Sequence, residues 1–198
     1  MRLRYEERMY GRMKIIVGIT GASGSIYGLK LIEVLKNAGH QVHVVISDSG
    51  LGVIQYECDT TLEDIAVVAD KIYNVHNVGA AIASGSFQAD AMVIAPCSMN
   101  TCGCLANGIT DNLLTRAADV MLKEGRKLIV VPRETPMHAG HLENLLKLCR
   151  MGAVIIPASP GFYHRPDTIM DLVNMLVGKI CDNLGVKNNL FARWHGIM

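Results

Sequence analysis

Short runs of β-branched and aliphatic residues recur along the chain, each followed by a stretch whose apolar positions return every third or fourth residue. "KIIVGIT" (14–20), "QVHVVIS" (41–47), "AMVIAPC" (91–97), "KLIVVP" (127–132) and "GAVIIP" (152–157) are nearly free of polar interruption. That is the pattern of strands covered on both faces, as in a parallel sheet. Ile26, Leu29, Ile32 and Leu35 then fall at helical spacing, with Gly39 where a helix terminator belongs. Leu142, Leu145, Leu146 and Cys149 predict a helix ended by Gly152, and Ile169, Leu172, Val173, Leu176 and Ile180 one entered after Pro166. Between residues 50 and 85 the pattern is weaker, with a helix in "TLEDIAVVAD" and a loop in "NVGAAIASGSF". Five strands alternating with helices predict a doubly wound, Rossmann-like α/β/α sandwich on a mainly parallel sheet.

The length of 198 residues fits one domain. Residues 1–12 carry four Arg and two Glu without an apolar period and are expected to be a flexible extension, leaving 13–198 as the folded domain. Charge is nearly balanced, 19 Lys plus Arg against 18 Asp plus Glu. No general field therefore draws nucleic acid or anionic lipid, and any anion must be held locally. No run approaches the length of a membrane span. The six Cys read as reduced thiols of a cytoplasmic protein.

In open sheets of this kind ligands bind beyond the carboxyl ends of the strands, so those ends carry the candidate chemistry. After the first strand, Thr20-Gly21-Ala22-Ser23-Gly24 joins a glycine turn to a helix N-terminus, which suits a phosphate. The TGxxGxxxG spacing is close to several dinucleotide fingerprints and identical to none, and a turn needed only for helix packing explains it too. Asp48, just past Ser47, keeps an NAD reading open. Ser98 and Thr101 follow the third strand, as ligand contacts or helix caps. Cys97, Cys102 and Cys104 lack a fourth ligand at metal spacing, and His138 and His141 form an HxxH without the metalloprotease Glu, so no metal is expected. Arg133 and Glu134 follow the fourth strand; Arg can fork onto an anion and Glu can move a proton, or the two can be a solvated pair. Arg116 and Lys123 share a helix face that Asp119 and Glu124 also explain. "PASPGFYHRP" displays Tyr163, Lys179 lies on the last helix, and the sole tryptophan, Trp194, sits near the end of the chain, where it is expected to dock.

Together, "GITGASGSIYGLKL", "SGSF", "PCSMNT", "TRAADVMLKEGRKLIVVPRETP", "HLENLLKL", "GAVIIPASPGFYHRP" and "LFARW" resemble the UbiX-type flavin prenyltransferases in order and spacing over residues 13–196. That family includes the small subunit of phenolic-acid decarboxylase systems. The resemblance implies prenyl transfer from dimethylallyl phosphate to reduced FMN, without metal, in a homododecamer with sites at subunit interfaces. The product would serve a UbiD-type decarboxylase. It implies that Gly21, Ala22 and Ser23 hold the flavin phosphate region, with Ser47, Ser98, Thr101 and Arg133 as further FMN contacts. Tyr163 and Lys179 would hold the substrate phosphate, assisted by Arg116 and Lys123. Some relatives carry Arg at the position of Lys179. Glu134 is the candidate acid; Ser23, Lys123 and Trp194 complete the implied catalytic set. Alternatives are direct flavin-dependent decarboxylation, although the PxMNxxMW stretch of such enzymes is missing, an NAD oxidoreductase lacking a YxxxK pair, and a non-catalytic flavin-binding protein.

Overall fold

The computed structural model describes residues 11–194 and 196; most of the expected 1–12 extension lies outside the described residues. Six parallel strands, β1 (Lys14–Ile19), β2 (Gln41–Ile46), β3 (Lys71–Tyr73), β4 (Ala91–Cys97), β5 (Lys127–Pro132) and β6 (Val154–Ile155), form one sheet in the order β3-β2-β1-β4-β5-β6. Seven helices connect and cover them among the described residues: α1 (Ser25–Asn37), α2 (Asp48–Cys58), α3 (Leu62–Val68), α4 (Met99–Ala106), α5 (Leu113–Lys123), α6 (Ala139–Arg150) and α7 (Ile169–Leu184). The anticipated three-layer α/β/α sandwich is present.

The sheet separates two apolar layers because successive strand residues point to opposite faces. Ile15, Val17 and Ile19 join Leu31 and Leu35 of α1 and Val173, Val177 and Ile180 of α7 on one side. Ile16, Met92 and Ile94 join α4 and α5 on the other. Each fully buried Leu or Ile contributes about 1.5–3 kcal/mol through apolar area removed from water.

Two differences from expectation stand out. β3, only three residues at the sheet edge, was not anticipated, and β6 is confined to Val154–Ile155 within the apolar run 152–157. A strand so short carries too few alternations to register as a pattern.

The chain leaves β1 toward β2 and β3, then returns to place β4 on β1's other side. The crevice where the connections diverge therefore opens above the carboxyl ends of β1 and β4. Thr20, 1% exposed, locks that opening. Its hydroxyl donates to the Pro96 carbonyl at 2.9 Å and accepts from the Ser98 amide at 2.8 Å.

Candidate active site

Two of the glycines in the opening motif serve different ends. Gly24 adopts φ 100°, a left-handed conformation that suits glycine, and forms the N-cap of α1. Gly28 lies on the packed face, where a Cβ would stand 2.3 Å from the Ala95 carbonyl oxygen. Its role is close approach of α1 to the sheet. The turn thus serves helix packing at Gly28 and a polar rim at residues 20–24.

That rim holds a residue sequence reasoning missed. Glu57, on α2, accepts hydrogen bonds from the Gly24 amide at 2.8 Å and the Ser25 amide at 3.1 Å. α1 has no side-chain cap and no acidic residue in its first turn, so Glu57 supplies the negative charge from a neighbouring helix. Burial alone would raise its pKa, but hydrogen bonds from Ser23, Gly24 and Ser25 and the charge of Arg133 prevail and lower it. The amides at this helix end are therefore divided. Glu57 takes those of Gly24 and Ser25, while those of Gly21, Ala22 and Ser23 donate to no partner among the described residues.

Across the crevice, Ser98 caps α4: its hydroxyl accepts from the Thr101 amide at 3.3 Å and lies 3.1 Å from the Thr101 hydroxyl. Capping and exposure to the crevice coexist, because the α4 first turn carries no acid and keeps its partial positive charge. Ser47 caps α2 through the Gly50 amide at 3.0 Å and approaches Ser49 at 3.2 Å. Arg133 donates its backbone amide to the Cys97 carbonyl and its Nε to the Ser23 carbonyl at 3.1 Å, so β1, β4 and β5 meet at one point. Its two Nη groups have no partner among the described residues. Glu134 accepts from the Thr135 amide at 3.1 Å.

A second polar group adjoins the first. The Ala158 amide donates to the Pro132 carbonyl, one residue before Arg133, and so seats the loop carrying Tyr163 beside the β5 exit. Tyr163 meets Trp194 edge to face, ring centroids 5.8 Å apart. Lys179 lines a cavity of about 260 Å³ with Ile156, Ser159 and Met175.

Within one chain the structure does not bring Arg116 and Lys123 to this rim. Arg116 pairs with Asp119 at 3.2 Å and Lys123 lies 3.5 Å from Glu124. Lys123 also precedes the N-terminal end of β5, whereas Arg133 follows its C-terminal end. Asp48 turns to His76 at 3.1 Å, on the rim of a separate cavity between β2, α2 and α3. Cys97 and Cys102 are fully buried with sulfurs 3.5 Å apart, and burial pushes the Cys97 thiol well up. The His138 and His141 rings pack against each other, centroids 3.5 Å apart and tilted by 32°.

The chain as a whole has known relatives. The Flavoprotein family model matches residues 3–184. Over 184 residues the chain is 46% identical to the flavin prenyltransferase UbiX of Thauera aromatica, covering 93% of this chain and 95% of that protein. The chain belongs to the UbiX flavin prenyltransferase family. A crystal structure of AnUbiX (PadA1) in complex with FMN and dimethylallyl pyrophosphate superposes with a TM-score of 0.93 at 39% identity, covering 95% of this chain and all of that one. A dodecameric FMN-dependent UbiX-like decarboxylase from Escherichia coli O157:H7 gives 0.91 at 42%, covering 93% and 100%. With Asp48 paired to His76 and the chain in a flavoprotein family, the nicotinamide reading loses its support.

Proposed function

We propose that this protein transfers the dimethylallyl group of dimethylallyl phosphate to reduced FMN, giving prenylated FMN and inorganic phosphate. The observation that carries this reading is the polar rim around Ser23 and Arg133 at the carboxyl ends of the strands, with the loop that carries Tyr163 seated beside it. The rim fits the nucleotide: it offers the open amides of residues 21–23, the hydroxyls of Ser47, Ser98 and Thr101, and the Arg133 fork. Glu57 bears on where the phosphate goes. A second anion beside that carboxylate is repelled, so the flavin phosphate is assigned toward the acid-free N-terminus of α4 at Ser98 and Thr101, with Gly21, Ala22 and Ser23 along the rest of the flavin.

Bound reduced flavin supplies the nucleophilic N5 and C6. The chain's part is to hold the ester and ease departure of its phosphate, which gains charge as the allylic C–O bond breaks. Lys179 and the Tyr163 hydroxyl meet that charge, joined by Arg116 and Lys123 of a neighbouring protomer; a preorganised donor in such a position is worth about 2.7–4 kcal/mol. Glu134 delivers a proton to the leaving phosphate oxygen. Ser23, close enough to the Glu57 carboxylate to help hold its pKa down, completes the set at the flavin rim. Trp194 walls the allylic group from water.

Exposed Tyr56, Val67, Phe162 and Ile169 supply apolar surface for assembly into a homododecamer. All six cysteines are free, which fits a reducing cytoplasm, and no helix among the described residues is long and apolar enough to cross a membrane. The product serves a UbiD-type decarboxylase. The test is anaerobic incubation with reduced FMN and dimethylallyl phosphate, reading free phosphate and flavin mass. One phosphate released per flavin that gains an isoprenyl unit is expected; a flavin of unchanged mass overturns the reading.

A further inference from the structure

Past α7 the chain turns at Gly185, φ 80°, and runs back along the helix it has just left. Two contacts hold it there. Arg193 grips the Asp182 carboxylate with both terminal nitrogens, Nη2 at 2.8 Å from Oδ1 and Nη1 on Oδ2, while Asn188 donates to the same Oδ1 at 3.0 Å. Phe191, 9% exposed, lies against Gly178, where a Cβ would come within 2.6 Å of its ring, and the Arg193 guanidinium covers that ring at 4.4 Å. Gly178 is the neighbour of Lys179, and Trp194 follows Arg193 directly. The segment 186–194 therefore runs from the helix turn beneath Lys179 to the ring of Tyr163.

We propose that the Asp182–Arg193 clasp is a positioning device for the phosphate end of the site, folding the C-terminal strap back so that Trp194 braces Tyr163 on the loop that packs against α7 at Met175. The proposal rests on the prenyl-transfer reading above. The Tyr163 hydroxyl has no hydrogen-bond partner among the described residues, so ring contacts orient it: Trp194 and His164 edge to face, and Gly161 beneath. A half-exposed ion pair adds little to stability, but a bidentate fork fixes direction, which is what a brace requires. Arg193 and Asn188 also hold the Asp182 carboxyl below the usual carboxylate range, so the clasp stays closed at neutral pH.

Because Trp194 is the only tryptophan, its emission reports the strap without any substrate. The experiment compares the unaltered protein with Asp182→Asn, Gly178→Ala and the exchange Asp182→Arg/Arg193→Asp. In the flavin-free proteins, Asp182→Asn and Gly178→Ala are expected to red-shift Trp194 emission and raise its quenching by acrylamide. With substrate they raise KM for dimethylallyl phosphate roughly 10- to 100-fold, the scale of a small misplacement of a binding group. FMN affinity stays close to that of the unaltered protein in both variants, and the unfolding midpoint does so in Asp182→Asn, whereas Gly178→Ala, which displaces the buried Phe191 ring, lowers its own. The exchange variant restores part of both losses. Unchanged emission in Asp182→Asn, or shifted emission with unchanged KM, overturns the proposal. If the unaltered protein releases no phosphate, the prenyl-transfer reading fails and the substrate role with it, while the emission measurement alone still decides whether the clasp places Trp194.

Discussion

Arg133 donates its Nε–H to the Ser23 carbonyl at 3.1 Å, across 110 residues of sequence, and so ties the exit of β5 to the turn after β1. The bond leaves both Nη groups of the guanidinium without a partner among the described residues. Arg133→Lys keeps the charge and loses the fork; it is expected to weaken FMN binding about 10-fold or more, the scale of a charged hydrogen bond, and Arg133→Met further. Flavin fluorescence titration measures both.

Gly28→Ala tests whether the rim depends on how closely α1 approaches the sheet. The added methyl would meet the Ala95 carbonyl oxygen, a backbone atom that cannot swing aside, at 2.3 Å, and the Cδ1 end of the fully buried Ile19 at 2.8 Å. α1 must back away. A loss of about 1–3 kcal/mol in chemical denaturation is expected, together with weaker flavin retention, because the Gly24 end moves with the helix.

Glu57 carries the cap that α1 lacks. Glu57→Ala leaves the Gly24 and Ser25 amides without their acceptor and is expected to cost about 0.5–2 kcal/mol, as loss of an N-cap does. Glu57→Gln keeps an accepting oxygen and recovers part of that loss. Thermal unfolding of the flavin-free protein separates the two.

His43 sets a pH dependence remote from the site. It is 5% exposed in β2, its Nδ1 lies 2.9 Å from the Tyr73 hydroxyl and its Nε2 has no partner among the described residues. Burial lowers its pKa, the charges of Lys14 and Lys71 lower it further, and Asp70 opposes them. The unfolded chain thus takes up a proton more readily than the folded one. Stability is complete above the ordinary value of 6.5 and falls as pH drops from there toward the lowered folded value. His43→Gln is expected to flatten that decline in unfolding midpoints measured between neutral and mildly acidic pH.

How far these features could be read in advance follows from their range along the chain. β1, β2, β4 and β5 are legible because a strand buried on both faces admits little but aliphatic residues, and Ser23, Ser98 and Arg133 follow as the polar residues at their ends. β3 is not, because its pairing to β2 through Val44↔Ile72, rather than its own composition, makes it a strand. Glu57 escaped for a related reason. It stands on α2, 33 residues from Gly24, and nothing local distinguishes it from a solvated helix carboxylate. The Asp182–Arg193 clasp is likewise a contact between a helix and a tail whose sequences carry no mark of each other.

Arg116 and Lys123 pose the remaining question, since one chain holds them away from Arg133, Tyr163 and Lys179. If Lys123 acts in a neighbouring protomer's site while Glu134 acts in its own, the two functions can be separated between chains. Lys123→Ala and Glu134→Gln should each lose most turnover alone. Unfolded together and reassembled in equal amounts, they form mixed oligomers in which about a quarter of the sites combine an intact Glu134 with an intact Lys123 from the adjoining chain. Phosphate release should then rise well above that of either parent. Activity that stays at the parental level after reassembly, in oligomers shown by mass to be mixed, would place both residues in the same protomer's site or remove Lys123 from the reaction.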